Sequence, residues 1–430
     1  MVIRLAGLLL LGVVSGAVPL PALAQTADPI EGRPVQEIRV SGLRHLPSDV
    51  VERHLATREG DPFHRATMAL DRRRLDELRL FSAVVIEPRL EADRLVLDVA
   101  VTETLRLLPV IVLRVTDENG VSAGPGMRGI NLLGRGTQTG LAVLFGGETS
   151  VSATVDATTI TPGTWTRHLG FNYSDRRNAL YDFDERATSA DARFGRNWNH
   201  GLRTGVTADV LAIDTGASGL SLSPDGTDVI PKLGGFLTVD TLDSSTNPRE
   251  GTWAEVEIDR LFGDADSWTF ILDGRRFQRL SDRHGLGIFS LATFQTGELG
   301  THLPDYLQFA LGGANTVRGW SLASRSGRNQ FIGTLEYTYV LSPVRAFSVA
   351  GLNLYAGLQL AGFGDLGLAW NDGTDLEASP ALDGYGFGLR ILVPFVDLIR
   401  LDVAWGEPEQ GATAYFGVSL KAARQRQRVR

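Results

Sequence analysis

From Leu107 to Ala422 the chain repeats one pattern. Apolar and polar residues alternate in segments broken by Gly, Asp, Asn and Ser. A period of two puts successive side chains on opposite faces of a strand, so this stretch reads as β-structure without helices. In GYGFGLRILV, Tyr385, Phe387, Leu389, Ile391 and Val393 share one face, and Gly384, Gly386, Gly388 and Arg390 the other. In LIRLDVAW, Ile399, Leu401, Val403 and Trp405 oppose Arg400, Asp402 and Ala404. TWAEVEID and LRTGVTADVLA alternate in the same way. A soluble sandwich would turn such apolar faces into a core. A membrane barrel turns them to lipid and keeps the polar faces for the lumen. Segments of about ten residues, about sixteen of them, fit the strand length and even strand number of an antiparallel transmembrane β-barrel.

The start of the chain agrees. Arg4, an apolar run from Leu5 to Val18 and the small-residue site Ala22-Leu23-Ala24 predict a signal peptide over residues 1–24, cut after Ala24. The alternative, an uncleaved membrane helix, is opposed by the shortness of the run and its break at Pro19. No later run is long and apolar enough for a spanning helix. The net charge of −8 gives no basic footprint for nucleic acid, and the absence of cysteine excludes disulfides and thiolate metal sites.

Residues 34–106 differ in period and read as a small α/β unit of order β-α-α-β-β. VQEIRV predicts a strand ending at Ser41-Gly42. LPSDVVERHLATREG predicts a helix capped by Ser48 and stopped by Gly60. A second helix is expected from His64 to Leu80, with Met68, Leu70, Leu75 and Leu78 as its apolar positions. VVIEPRL and RLVLDVAV follow as strands around a turn at Glu91 to Asp93.

Three features resemble catalytic or ligand motifs without the context those need. GVSAG (Gly120 to Gly124) has the spacing of a nucleophile elbow, but no helix follows it. GPGMRG (Gly124 to Gly129) has dinucleotide-fingerprint spacing and equally lacks a helix. The seven histidines are scattered; His302, in the long connection before GGANTVRGW, is the one worth locating. The reading is therefore of a non-enzyme, with no cofactor and no metal.

Taken together the motifs resemble the assembly and secretion superfamily of BamA and TamA type. In the N-terminal unit, Ile38, Gly42, Gly60, Leu75, Leu78, Phe81, Val84 and Glu103 match a POTRA domain, where Gly42, Gly60 and Phe81 are fold or binding positions. Val317 to Trp320, VRGW, is similar to the family's VRG-aromatic motif, at the tip of a long extracellular loop folded back into the barrel. NLLGRG, TNPREG, LEYTY, FGDLG and GFGLR keep the family's order. The chain departs from the pattern in having one POTRA unit and no C-terminal aromatic. Tyr415, Gly417 and Leu420 in TAYFGVSLKA approximate a C-terminal insertion signal, followed by a basic tail at 423–430. The barrel is expected over 109–422.

The resemblance implies a monomeric barrel in the bacterial outer membrane with its POTRA domain in the periplasm. Its partners would be lipid and an unfolded client polypeptide or periplasmic protein at the POTRA sheet edge, which the sequence places around Leu95 to Val101. Such a protein inserts or translocates clients without nucleotide hydrolysis. A channel or structural barrel, with or without a separate patatin-like lipase partner, is the alternative. Strand parity adds a luminal site. Glu336 and Asp365 point inward from neighbouring strands, and Arg318 is expected between them, with Gly319 and Trp320 completing a loop anchor. VIVLRVT and TAYFGVSLKA would form a weakly paired seam, with Gly417 weakening the last strand.

Overall fold

The computed structural model describes residues 29–419 except 45, 79, 104–105, 134–136, 158–162, 182, 245–246, 350–351, 379–380 and 394–396. The expected signal peptide, Leu420 and the basic tail lie outside these residues.

The N-terminal unit runs β1 (Val35–Ser41), α1 (Asp49–Glu52), α2 (Arg65–Glu77), β2 (Phe81–Glu91) and β3 (Arg94–Glu103). The sheet order is β1-β3-β2, with β1 parallel and β2 antiparallel to β3. Leu95 to Val101 is therefore the central strand, and the edges are β1 and β2. This corrects the expected docking edge. The order along the chain hides it, because β3 returns between its predecessors. Ala92 and Asp93, both at positive φ, form the two-residue hairpin between β2 and β3. Val35, Val51, Leu75, Leu97 and Val99 are fully buried between sheet and helices.

The first helix is much shorter than its sequence suggests, and Ser48 makes no side-chain cap. The cause is Asp71, fully buried on α2, whose carboxylate accepts from the Ala56 and Thr57 N–H groups and the Thr57 hydroxyl. Arg58 Nη1 donates to the carbonyls of Glu52 and Leu55. Side chains thus satisfy backbone groups that a continuing helix would have used. On α2 the inward stripe is 68-71-75-78, so Leu70 stands exposed. Gly42 (φ 87°) lies against the Val101 backbone, Gly60 (φ 92°) donates its N–H to the Val35 carbonyl, and Phe81 is buried at the start of β2. Glu103 receives the Arg44 and Leu46 N–H groups at 2.8 and 2.9 Å.

Sixteen strands follow in one antiparallel sheet. They are β4 (Leu107–Thr116), β5 (Gly120–Ile130), β6 (Gln138–Gly146), β7 (Thr149–Ala157), β8 (Trp165–Arg177), β9 (Asp184–Asn197), β10 (Leu202–Asp214), β11 (Thr227–Asp240), β12 (Gly251–Leu261), β13 (Ser267–Arg279), β14 (His284–Gln295), β17 (Asn329–Val349), β18 (Leu352–Trp370), β19 (Leu382–Val393), β20 (Asp397–Trp405) and β21 (Thr413–Ser419). Each pairs with its chain neighbours. The long connection between β14 and β17 carries its own small hairpin, β15 (Phe309–Leu311) and β16 (Arg325–Gly327). The sheet curls until β4 and β21 approach, and no hydrogen-bonded ladder joins them among the described residues.

The two faces are inverted relative to a soluble protein. Leu141, Leu169, Phe194, Val206, Leu233, Leu335, Leu360, Tyr385 and Phe387 are exposed on the outside. Glu148, Glu185, Asp228, Asp259, Asp273, Asp365, Arg390 and Asp402 are buried within. A sandwich core would reverse this, so the outer face is a lipid face. The POTRA unit docks at the mouth where its chain enters the barrel. Ile130, at the end of β5, joins its hydrophobic core, and Arg73 on α2 pairs with Asp240 at the end of β11 at 2.7 Å.

Candidate functional site

The β14–β17 connection has two halves with different jobs. Its first half packs Leu303, Tyr306 and Leu307 on Leu211, Ile213, Ile230 and Leu261 of the barrel rim. The Tyr306 hydroxyl donates to Asp228 at 2.6 Å. The second half turns inward. The β15–β16 pair closes its neck, Gly312 N–H and C=O both bond the Thr316 hydroxyl, and Val317 is fully buried against Ile332, Leu311 and Leu382.

This delivers Arg318, which is completely buried, to the barrel wall. Its backbone N–H, Nε and Nη2 donate to the Asp365 carboxylate at 3.1, 2.7 and 3.0 Å. Nη1 donates to Asp402 Oδ2 at 2.8 Å. The guanidinium carbon lies 3.2 Å from the centroid of the Phe363 ring. Thr334 Oγ1 donates a further bond to Asp365 at 2.8 Å. Fork geometry, a second carboxylate and a stacked ring together use most of what distinguishes arginine from lysine.

Glu336 is placed differently from the expectation. It stands 3.8 Å from Arg318 without a hydrogen bond, and its direct partner is Arg390, Nη2 to Oε2 at 2.7 Å. Arg390 also bonds Asp402, and Arg400 Nε lies 3.5 Å from Asp402. The site is thus a knot of three arginines and three carboxylates, centred on Asp402, across β17 to β20. Desolvating such groups is expensive, and equal numbers of opposite charges offset the cost.

The two residues after Arg318 complete the anchor. Gly319 adopts φ 91°, and a Cβ there would fall 2.4 Å from the Trp405 carbonyl carbon. Its N–H donates to the Tyr415 hydroxyl at 3.0 Å, which also lies within bonding distance of the Trp320 carbonyl. Trp320 Nε1 donates to the Asp383 carbonyl at 2.7 Å. Ser321 N–H and Oγ donate to Glu407 at 3.0 and 2.7 Å, in the turn between β20 and β21. On the opposite side Ala314 N–H donates to Asp117, in the turn between β4 and β5. Tyr415, expected in an insertion signal, therefore points inward and holds the loop, while Phe416 is exposed on the lipid face. Gly417 sits beside the Arg400 guanidinium.

The other sequence motifs fall elsewhere. GVSAG and GPGMRG lie inside β5, where Ser122 Oγ accepts from the Glu148 N–H. His302 Nδ1 accepts from the Glu298 N–H in a loop turn. Sequence parity put Arg390, Arg400 and Asp402 on polar faces without joining them to Arg318. Gly388, directly opposite Asp402 in the β19–β20 register, was the available signal, since it leaves room for that carboxylate.

Fold and site define a sixteen-stranded membrane barrel with a folded-in, arginine-anchored loop and a single POTRA-type unit at its mouth. Residues 131–421 match the Omp85 superfamily domain, and residues 34–104 match the surface antigen variable number repeat, a POTRA unit. The chain belongs to the Omp85 superfamily. It is 24% identical over 395 residues to the outer membrane protein assembly factor BamA of Nitratidesulfovibrio vulgaris (strain Hildenborough), covering 85% of this chain and 47% of that protein. The chain thus spans about half the length of that curated relative. Its fold is similar to BamA from Haemophilus ducreyi lacking POTRA domains 1–3 (TM-score 0.54, 14% identity, 92% of this chain and 84% of that one). It is also similar to CdiB from Escherichia coli (TM-score 0.52, 14% identity, 97% of each chain).

Proposed function

We propose that this chain is an outer-membrane protein that inserts client polypeptides into the membrane or passes them across it, with its POTRA unit in the periplasm and no nucleotide hydrolysis. The observation that carries the reading is the joining of a POTRA sheet edge without a strand partner to a barrel whose first and last strands share no ladder, both among the described residues. The β1 edge is occupied: Val35 and Gly60 bond across it, and the Ile38 N–H donates to Glu59. The β2 edge has no strand partner among the described residues. An extended client can add a strand there, and the β4–β21 seam is where the wall can part. The names of the relatives, an assembly factor and CdiB, support the same reading.

A photoreactive residue at Ser82 or Val85 on β2 should crosslink unfolded outer-membrane or secreted polypeptide in cells, and one at Leu97 on the central strand should not. Equal crosslinking at all three positions would remove the edge from the reading. The second reading is a channel or structural barrel. It predicts a large steady current from the wild-type protein in planar bilayers, whereas a plugged client-handling barrel gives little until Arg318 is replaced. Loss of client delivery by a folded Arg318→Ala barrel would separate the anchor's role in activity from its role in folding.

A further inference from the structure

The outer wall carries a cluster that client handling does not use. At the periplasmic ends of β8 and β9, Trp165 lies opposite Arg196 and Arg167 opposite Phe194 in the strand register. Trp165, Phe194 and Trp198 are exposed on the lipid face, and Arg167 and Arg196 are exposed with them. The Trp165 and Phe194 rings stack with centroids 4.9 Å apart. The Arg196 guanidinium lies between two indoles, 5.5 Å from Trp165 and 4.8 Å from Trp198. Trp198 is itself fixed by its Nε1 bond to Thr204 at 2.9 Å.

Two cations facing lipid need an explanation. Neither guanidinium has a carboxylate partner among the described residues. The nearby acids Asp156 and Asp191 both bond His168, one residue along β8 from Arg167 and therefore on the opposite, luminal face. The flanking sequences, ATTITPGT (157–164) and NWNHGL (197–202), contain no acidic residue. Above the cluster the wall is purely apolar through Leu169 and Phe171. An arginine facing lipid is costly at the bilayer midplane and nearly free at the interface, where aromatic girdles sit. Arg167 and Arg196 are diagonal neighbours on one face of the β8–β9 pair, a spacing of about 7–8 Å that long side chains can bridge.

We propose that this wall binds the head group of an anionic phospholipid of the periplasmic leaflet, its phosphate held by Arg167 and Arg196 and its glycerol and upper acyl region against Trp165, Phe194 and Trp198. The cluster matches this occupant in charge, in depth and in its apolar surround. The bound lipid would fix the height and tilt of the β8–β10 wall, the fifth to seventh of the sixteen strands counted from the seam at β4.

The test uses the full-length protein in detergent, with native mass spectrometry after adding phosphatidylglycerol or phosphatidylcholine. Wild-type protein should retain phosphatidylglycerol in preference. Retention should fall roughly 10–30-fold in R167Q/R196Q, the change expected for two interfacial cations. Arg276→Gln, also exposed on the outer wall but bonded to Thr252, should leave it unchanged. Heat-modifiable gel mobility reports whether each barrel is folded, and the single variant Arg196→Gln serves if the double variant does not fold. Equal retention of both lipids, unchanged retention in a folded Arg196→Gln protein, or displacement of the lipid by millimolar inorganic phosphate would each overturn the proposal.

Discussion

Arg318 has more partners than any one carboxylate can supply, and Asp402 is the residue that makes this possible. It receives Arg318 and Arg390 together, with Arg400 beside it. Asp402→Asn should therefore loosen the loop more than Glu336→Gln, which removes a mostly buried partner of Arg390 that makes no hydrogen bond to Arg318. The expected cost is about 3–5 kcal/mol, the range for stranding buried charges. Faster hydrogen exchange across Gly312 to Ser321 in the Asp402 variant, and little change in the Glu336 variant, is the measurable outcome. A lysine at 318 keeps the charge but loses the fork, so Arg318→Lys should resemble the alanine variant in client delivery more than the wild type. At this scale the sequence was partly readable. Parity showed that Asp365 and Glu336 face inward. It could not show height along the barrel axis, which register sets, and so it paired Arg318 with Glu336 and left Asp402 aside.

Among the elements, the shortened first helix shows why local signals misled. Ser48 and Gly60 are good helix punctuation, but the buried Asp71 carboxylate on the next helix takes the Ala56 and Thr57 donors and draws the chain away from a continuing helix. Asp71→Ala leaves the Ala56 N–H and the buried Thr57 N–H and hydroxyl without this acceptor and should destabilise the POTRA unit by about 2–6 kcal/mol, taking the two buried Thr57 groups at about 1–3 kcal/mol each. Amide exchange over residues 53–60 in the full chain would register it first. The loop clasp offers a pH test. Hydrogen bonds from Ser321, first its hydroxyl and then its N–H, hold the Glu407 carboxyl below its ordinary range. A depressed carboxylate pKa stabilises the folded form above the unfolded value and loses that contribution as pH falls through the folded one. The clasp should thus hold at neutral pH and loosen only below the usual glutamate range, and Glu407→Gln should abolish the pH dependence. A fluorophore at Ser324 would follow this.

For the whole molecule, the sequence told most where it was most repetitive. Three hundred residues of alternation define a wall with one lipid face, and the strand count followed from the turn residues. What it withheld were relations between distant segments: the return of β3 to the centre of its sheet, and the docking of the POTRA unit on the barrel. Arg73 and Asp240 lie 167 positions apart and meet at 2.7 Å. Replacing Arg73 by alanine should free the POTRA unit to swing, seen as a broadened distance distribution between spin labels on β2 and the β9–β10 turn, with barrel folding unaffected.

The inward loop also touches both banks of the unladdered seam, and both contacts lie at the outer rim. Ala314 reaches the β4–β5 turn, and Gly319 with Ser321 reaches β21 and the β20–β21 turn. The far ends of β4 and β21 have no such strap among the described residues. A wall fastened at one end can swing only from that end. Any parting of these strands would therefore begin at the end where the POTRA unit docks, with the loop as its hinge pin, and on the proposed reading a client held at the POTRA edge would stand beside the gap.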